Sequence, residues 1–131
     1  MEDNFKLEII SPEKIIFSDS VKMVKVPSYE GDMSILKNHI SIITFLRPGI
    51  IKIYKSEVKS EDFFVKDGTV EYFNNNLTIL SSSVINVKDL SKEFINDLIE
   101  NTQEKLKKEG ITDHDRYVLN HQLDVIKEIR V

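Results

Sequence analysis

From Phe5 to about Val87 apolar residues recur at every second position, the period of a half-buried strand. Phe5, Leu7 and Ile9 alternate with Lys6 and Glu8, and Pro12 breaks the run because it has no N–H to give a ladder. A short strand is expected over residues 14–17, with a turn at Ser18-Asp19-Ser20. Val21, Met23 and Val26 resume the pattern with Lys22 and Lys25 outward, and Pro27 closes it. Met33 and Ile35 alternate with Asp32 and Ser34 in a short strand between two turns. Residues 40–45 are rich in β-branched side chains, and Arg47-Pro48-Gly49 marks a turn before Ile51 and Ile53. Residues 56–60 read as a hairpin loop, and residues 62–66 as a strand. Asp67-Gly68 and Asn74-Asn75-Asn76 read as tight turns. Leu77 and Ile79, then Val84, Ile85 and Val87, complete the set. Many short strands with closely spaced turns predict a sandwich or barrel.

At Asp89 the period changes to that of a helix. Phe94, Ile95, Leu98, Ile99, Thr102 and Leu106 fall on one side, with Asp89 or Ser91 as the cap. Lys105, Lys107 and Lys108 favour the helix C-terminus, and Gly110 is the expected C-terminal cap. Thr112-Asp113-His114-Asp115 resembles a capping box, and Val118, Leu119, Leu123, Ile126 and Ile129 form a second stripe. So short a loop makes the helices antiparallel neighbours. The expected organisation is a β domain over 1–87 and a helical hairpin over 88–131. The hairpin is too small to be stable alone and needs a second surface.

Composition narrows the function. The chain of 131 residues has a net charge of -4 with lysines interspersed among acids, which argues against nucleic acid as a main partner. It has no cysteine, so disulfide and thiol chemistry are excluded. No apolar run reaches the roughly 18 residues needed to span a bilayer. Neither a secretory signal nor an Arg-rich transit sequence is read at the start, which predicts synthesis and use in one compartment. There is no P-loop, GxGxxG, GxSxG or HExxH, and the carboxylates are scattered. His114 and His121 are spaced as solvated or partner-facing residues rather than as a zinc pair. The pattern favours a binding or structural module over an enzyme, with no metal or cofactor. Chemistry concentrates in YEGDMSILKNH, residues 29–39: Glu30-Gly31-Asp32 opens it and Lys37-Asn38-His39 closes it. Asp32 and His39 are the residues expected to meet something outside the chain, although a polar turn is by default a solvated one.

These stretches together resemble the epsilon subunit of the rotary F-type ATP synthase. The resemblance runs through LEIISPEKIIFS (7–18) and VKMVKVPSYEGDMSILKNHISIITFLRPGIIKI (21–53). It continues through Asp67-Gly68, Val70-Glu71 and Leu77-Thr78-Ile79-Leu80, while the hairpin matches in placement and length more than in letters. It implies an antiparallel β-sandwich of about ten strands followed by an α-helical hairpin. It implies a non-catalytic central-stalk subunit bound to the gamma subunit and the c-subunit ring, coupling proton flow to ATP synthesis in the alpha–beta head. The segments Glu30, Gly31, Asp32 and Lys37, Asn38, His39 would then lie at the ring and gamma contact. The helix faces carrying Phe94, Leu98, Leu119, Leu123 and Ile126 would be regulatory, since in many members the hairpin extends toward the head and hinders ATP hydrolysis.

Two departures carry meaning. The usual Pro-Gly before the loop histidine is Lys37-Asn38, and Asn38 keeps a left-handed turn available. Nucleotide-binding members carry Ile/Leu-Asp-x-x-Arg-Ala at the first helix; here Ser91 and Phe94 stand where the acid and arginine would be, so no ATP binding is expected. The implied location is the cytoplasmic face of a bacterial inner membrane, reached only through the complex, with a plastid thylakoid as the lesser option. The alternative reading is a generic β-sandwich binding module with a helical dimerisation tail.

Overall fold

The computed structural model describes residues 3–129, without the side chains of residues 59 and 60. Ten strands come first: β1 (Phe5–Ile10), β2 (Ile15–Val21), β3 (Met23–Ser28), β4 (Gly31–Leu36) and β5 (Ile42–Leu46), then β6 (Gly49–Tyr54), β7 (Lys59–Val65), β8 (Gly68–Phe73), β9 (Asn76–Leu80) and β10 (Ile85–Asn86). A 3-10 turn, Val87–Asp89, leads into α1 (Lys92–Lys107) and α2 (Asp113–Ile129). The strands form one sheet in the order β10-β7-β6-β3-β5-β8-β9-β1-β2, with β4 on β3. Folded over at β3, this is the expected β-sandwich, with one exception to the antiparallel rule. β1 and β9 run parallel, Leu7 beside Leu77 and Ile9 beside Ile79.

The period-two residues point where the pattern put them. Leu7, Ile9, Val24, Ile35, Ile51, Ile53, Val65, Val70 and Ile79 are all fully buried in one core. Phe5 meets Tyr72 edge-on inside it, ring centroids 5.7 Å apart. Such pairs add to the area term that dominates the core.

Two sequence expectations need correction here. Ser18-Asp19-Ser20 is not a turn but the middle of β2, paired with Glu8, Leu7 and Lys6 of β1. β2 ends the sheet path, so its polar side chains sit in solvent while its backbone is satisfied by β1. Asp19 reaches across to Lys55 at 2.9 Å, and the hydrogen bond from that lysine holds its carboxyl below the usual value. Glu57 is lowered in the same way by Lys22. Pro27 likewise does not close β3 but lies within it. Its missing donor falls where β3 leaves β6, after Lys25, and passes to β5 at Ser28. Its carbonyl accepts from the Arg47 N–H at 2.9 Å. Gly49 begins β6 against the same ring, and a Cβ there would stand 2.5 Å from Pro27 Cβ.

The hairpin forms on local signals. Ser91, not Asp89, caps α1, its Oγ accepting from the Phe94 N–H at 3.0 Å. Thr112 caps α2, its Oγ1 accepting from the Asp115 N–H at 3.0 Å. α1 ends at Lys108 in extended backbone, and Gly110, at φ 82°, turns the connecting loop rather than capping the helix. Ile95, Ile99, Leu123 and Ile126 fill the seam, joined by Phe64 of the sandwich. Phe63 and Val65 of the same strand face the sandwich core, while Phe64 points the other way and is covered by the hairpin. Half-buried Ile50, Val87 and Leu90 complete that contact. Inside the seam, Gln122 Nε2 donates to Thr102 Oγ1 at 2.9 Å, and Thr102 donates to the Leu98 carbonyl at 2.7 Å. The two are equidistant from residue 112, as an antiparallel pair requires.

Candidate partner-binding surfaces

The two polar segments of residues 29–39 lie at opposite ends of β4. Residues 33–36 of the strand separate them, roughly 16 Å from Asp32 to Lys37 at about 3.3 Å per residue. The structure therefore brings Glu30, Gly31 and Asp32 together, and Lys37, Asn38 and His39 together, but not the two sets.

The first end is a tight β3–β4 turn built on Ser28. Buried Ser28 donates from Oγ to the Gly31 carbonyl at 2.7 Å and accepts from the Glu30 N–H at 3.2 Å. Gly31 sits at φ 125°, a backbone that an L side chain adopts only under strain. Glu30 is exposed, and Asp32 has 79% of its side chain in solvent while pairing with Arg47 at 2.9 Å.

The second end is clamped to the β8–β9 turn. Asn38 takes the left-handed backbone at φ 66°. Its N–H donates to Asn75 Oδ1 at 2.8 Å, and the Tyr72 hydroxyl donates to the same oxygen at 2.8 Å. His39 lies edge-on to Tyr72, ring centroids 5.7 Å apart, and its Nδ1 donates to the Ile40 carbonyl at 2.7 Å. The loop is therefore held by side chains in place of the Pro-Gly that the resemblance would supply. His39 is part of that clamp, so half of it is spent on structure and half faces out.

A third surface was not singled out from sequence. Ile43 is 76% exposed, Phe45 62%, Phe73 64% and Leu80 48%. Register puts them on one face: Ile43 pairs with Glu71 and Phe45 with Thr69 of β8, and Thr69 pairs with Leu80 of β9. An open groove of about 700 Å³ continues this face past Tyr29, Ile10 and Pro12. The available signal was that residues 42–46 are apolar at both parities, so one apolar row had to face away from the core.

On the hairpin, Leu123 and Ile126 are buried and Leu98 and Leu119 half-buried, but Phe94 is 40% exposed and stands outside the seam. It lies in the first turn of α1, to one side of the buried row Ile95, Ile99 and Thr102. The histidines face the sandwich side: His114 stacks on Tyr29 with centroids 6.3 Å apart, and His121 packs on Tyr117 at 5.2 Å. No group of His, Cys, Asp and Glu among the described residues is arranged to hold a metal. No helix among them is long and apolar enough to cross a membrane.

What the molecule offers is contact surface: an apolar sheet face, two rigid turns and a helical hairpin resting on one side. The fold that carries them belongs to a known class of ATP synthase subunits: the chain is a member of the family described as ATP synthase, Delta/Epsilon chain, beta-sandwich domain, which matches residues 4–87. Within it, the chain is 46% identical to the ATP synthase epsilon chain of Pelagibacter ubique, over 98% of this chain and 99% of that one. It is 30% identical to the ATP synthase epsilon chain of Rhizobium johnstonii, over 87% and 84%. The fold recurs in solved structures, of which two serve as examples. One is a chain of the Euglena gracilis mitochondrial ATP synthase (OSCP/F1/c-ring, rotational state 1), with a TM-score of 0.75 at 16% identity, covering 97% of this chain and 79% of that one. The other is a chain of the Tetrahymena thermophila mitochondrial ATP synthase central stalk and c-ring, with a TM-score of 0.64 at 17% identity, covering 96% of both.

Proposed function

We propose that the chain is the non-catalytic central-stalk subunit of an F-type ATP synthase on the cytoplasmic face of a bacterial inner membrane. It binds the gamma subunit and the c-subunit ring, and transmits the ring's proton-driven rotation toward ATP synthesis in the alpha–beta head. The observation that carries this reading is the exposed row Ile43, Phe45, Phe73 and Leu80 on a rigid sheet. A rotating subunit has to hold its partner against torque, and an apolar patch with Glu71 and Thr69 set among its apolar side chains offers both contact area and polar register for that. We assign this face to gamma. The Glu30-Gly31-Asp32 turn, exposed and backbone-rigid, is assigned to the polar loops of the ring.

The hairpin is assigned a regulatory role. Its seam borrows Phe64 from the sandwich, so docked and released positions differ by few contacts. Released, it would lie along gamma toward the head and slow ATP hydrolysis.

The test is co-purification from membranes. Ile43→Glu with Phe45→Glu should remove gamma from the purified complex while leaving a cooperative thermal transition in the isolated chain. Retention of gamma at the native level would refute the assignment of that face. A chain ending at residue 87 should still bind gamma and support synthesis, with hydrolysis equal to or faster than with the full chain. A free binding module, by contrast, would bring down no ATP synthase subunit at all.

A further inference from the structure

The cleft between the sandwich and α2 holds an arrangement of charge that the stalk role does not require. It is about 300 Å³ and is lined from the sandwich by Asp32, Arg47 and Lys52, and from α2 by His121, Asp124 and Glu128. Arg47 is the pivot. Its side chain is only 21% exposed, its Nη2 donates to Asp32 Oδ1 at 2.9 Å, and its Nε–H is buried without an acceptor. Asp32, by contrast, is 79% exposed and tethered by that pair alone among the described ion pairs. Asp124 and Glu128 are exposed and one helical turn apart, so both carboxylates overlook the same cleft.

We infer that Arg47 couples the Asp32 turn to the hairpin, because Asp32 and the acidic edge of α2 compete for one guanidinium. When Asp32 holds Arg47, the positive charge facing α2 is partly neutralised, and Asp32 itself repels Asp124 and Glu128. When a cationic group outside the chain draws Asp32 away, Arg47 and Lys52 together face two carboxylates, and the hairpin is held down. By linkage the effect is reciprocal: a docked hairpin makes Asp32 easier to capture. Arg47 is thus a positioning residue for the hairpin, and Asp32 is the element that sets its strength. The coupling is a property of the isolated chain, so it is tested apart from the ring and gamma assignments.

The absence of cysteine makes a clean experiment possible. Half-buried Val125 of α2 lines the cleft, and Val125→Cys supplies one thiol whose labelling rate reads hairpin opening even when opening is rare. Asp32→Asn should slow labelling about two- to fivefold at low salt, the scale of an exposed charge pair. Arg47→Gln should speed it, and Arg47→Lys should recover at least part of the protection. In the Arg47→Gln background the effect of Asp32→Asn should fall by half or more. All differences should shrink toward none at 1 M salt, where the Debye length is about 3 Å. A direct field effect on the thiolate cannot imitate this pattern: losing a nearby carboxylate speeds labelling and losing a cation slows it, the opposite signs. Faster or unchanged labelling in Asp32→Asn, or an equal effect with and without Arg47, overturns the inference.

Discussion

The sandwich and the hairpin are held together by different means. The sandwich buries Leu7, Ile9, Val24, Ile51, Ile53 and their neighbours to zero exposure between two layers of one continuous sheet. The hairpin buries Ile95, Ile99 and Leu123 to 6–7% and completes its cluster with Phe64 and Ile50 of the sandwich, side chains it does not own. Its one buried polar pair, Gln122 with Thr102, fixes helix register but adds little apolar area. A unit that borrows its centre from a neighbour belongs at the low end of local stability, where opening does not need global unfolding. The contrast shows how a rigid coupler and a movable arm are made from one chain: the sandwich spends its outward residue Phe64 on the arm, and the arm repays no core position to the sandwich.

The contrast breaks most visibly in the sandwich. Leu7→Ala should cost about 2–5 kcal/mol and lower the chemical-denaturation midpoint of the whole protein in one transition. A loss confined to the helical signal would show that Leu7 does not support the sandwich core. Next in size, Phe64→Ala removes about 1.5–3 kcal/mol of apolar burial. Hydrogen exchange should then rise throughout α1 and α2 while β1, β8 and β9 keep their protection. Equal loss of protection in the strands would place Phe64 in the sandwich core after all. Ser91→Ala should cost about 1 kcal/mol, read as fraying of the first turn of α1 and a small gain in hairpin opening. The smallest effect is electrostatic. Lys22 and Lys55 hold Glu57 and Asp19 below their ordinary values, so these carboxylates stabilise the fold above the usual carboxylate range. That contribution disappears as pH falls through the lowered folded values. Glu57→Gln should therefore melt slightly below the parent at pH 7 and alongside it in acid, as scanning calorimetry at the two pH values will tell.

How much of this was written in the letters depends on the element. Inward parity in β1, β6 and β9 is legible because the inward positions are apolar throughout while the outward ones include Lys6, Glu8, Lys52, Asn76 and Thr78. Where both parities are apolar the pattern is silent about which side is which. That is why Ile43 and Phe45 were passed over as a surface, and why Phe64 did not stand out from Phe63 and Val65. β2 was misread at Ser18-Asp19-Ser20 because turn propensity is local, while the strand is imposed there by β1. Phe94 fits a helical stripe by spacing, yet it lies to one side of the buried row that begins at Ile95. The polar segments at residues 30–32 and 37–39 are legible, but their separation is not, since only the register of β4 on β3 shows the strand running extended from one to the other.

The parallel pairing of β1 with β9 has a consequence in time. Lys6 lies beside Asn76, about 70 residues further along the chain, so the layer containing both cannot close until most of the protein exists. At about 5–20 residues per second of synthesis, β1 waits roughly 4–14 s for that neighbour. Through the wait, the β1–β2 hairpin carries Leu7 and Ile9 with both edges unpaired, the β1 edge until β9 arrives and the β2 edge thereafter as well. Contacts this distant in sequence also slow refolding of the finished chain. The charged and polar residues of β2, Ser18, Asp19 and Ser20, then read as protection of the ribbon's outer edge against pairing with a neighbouring chain.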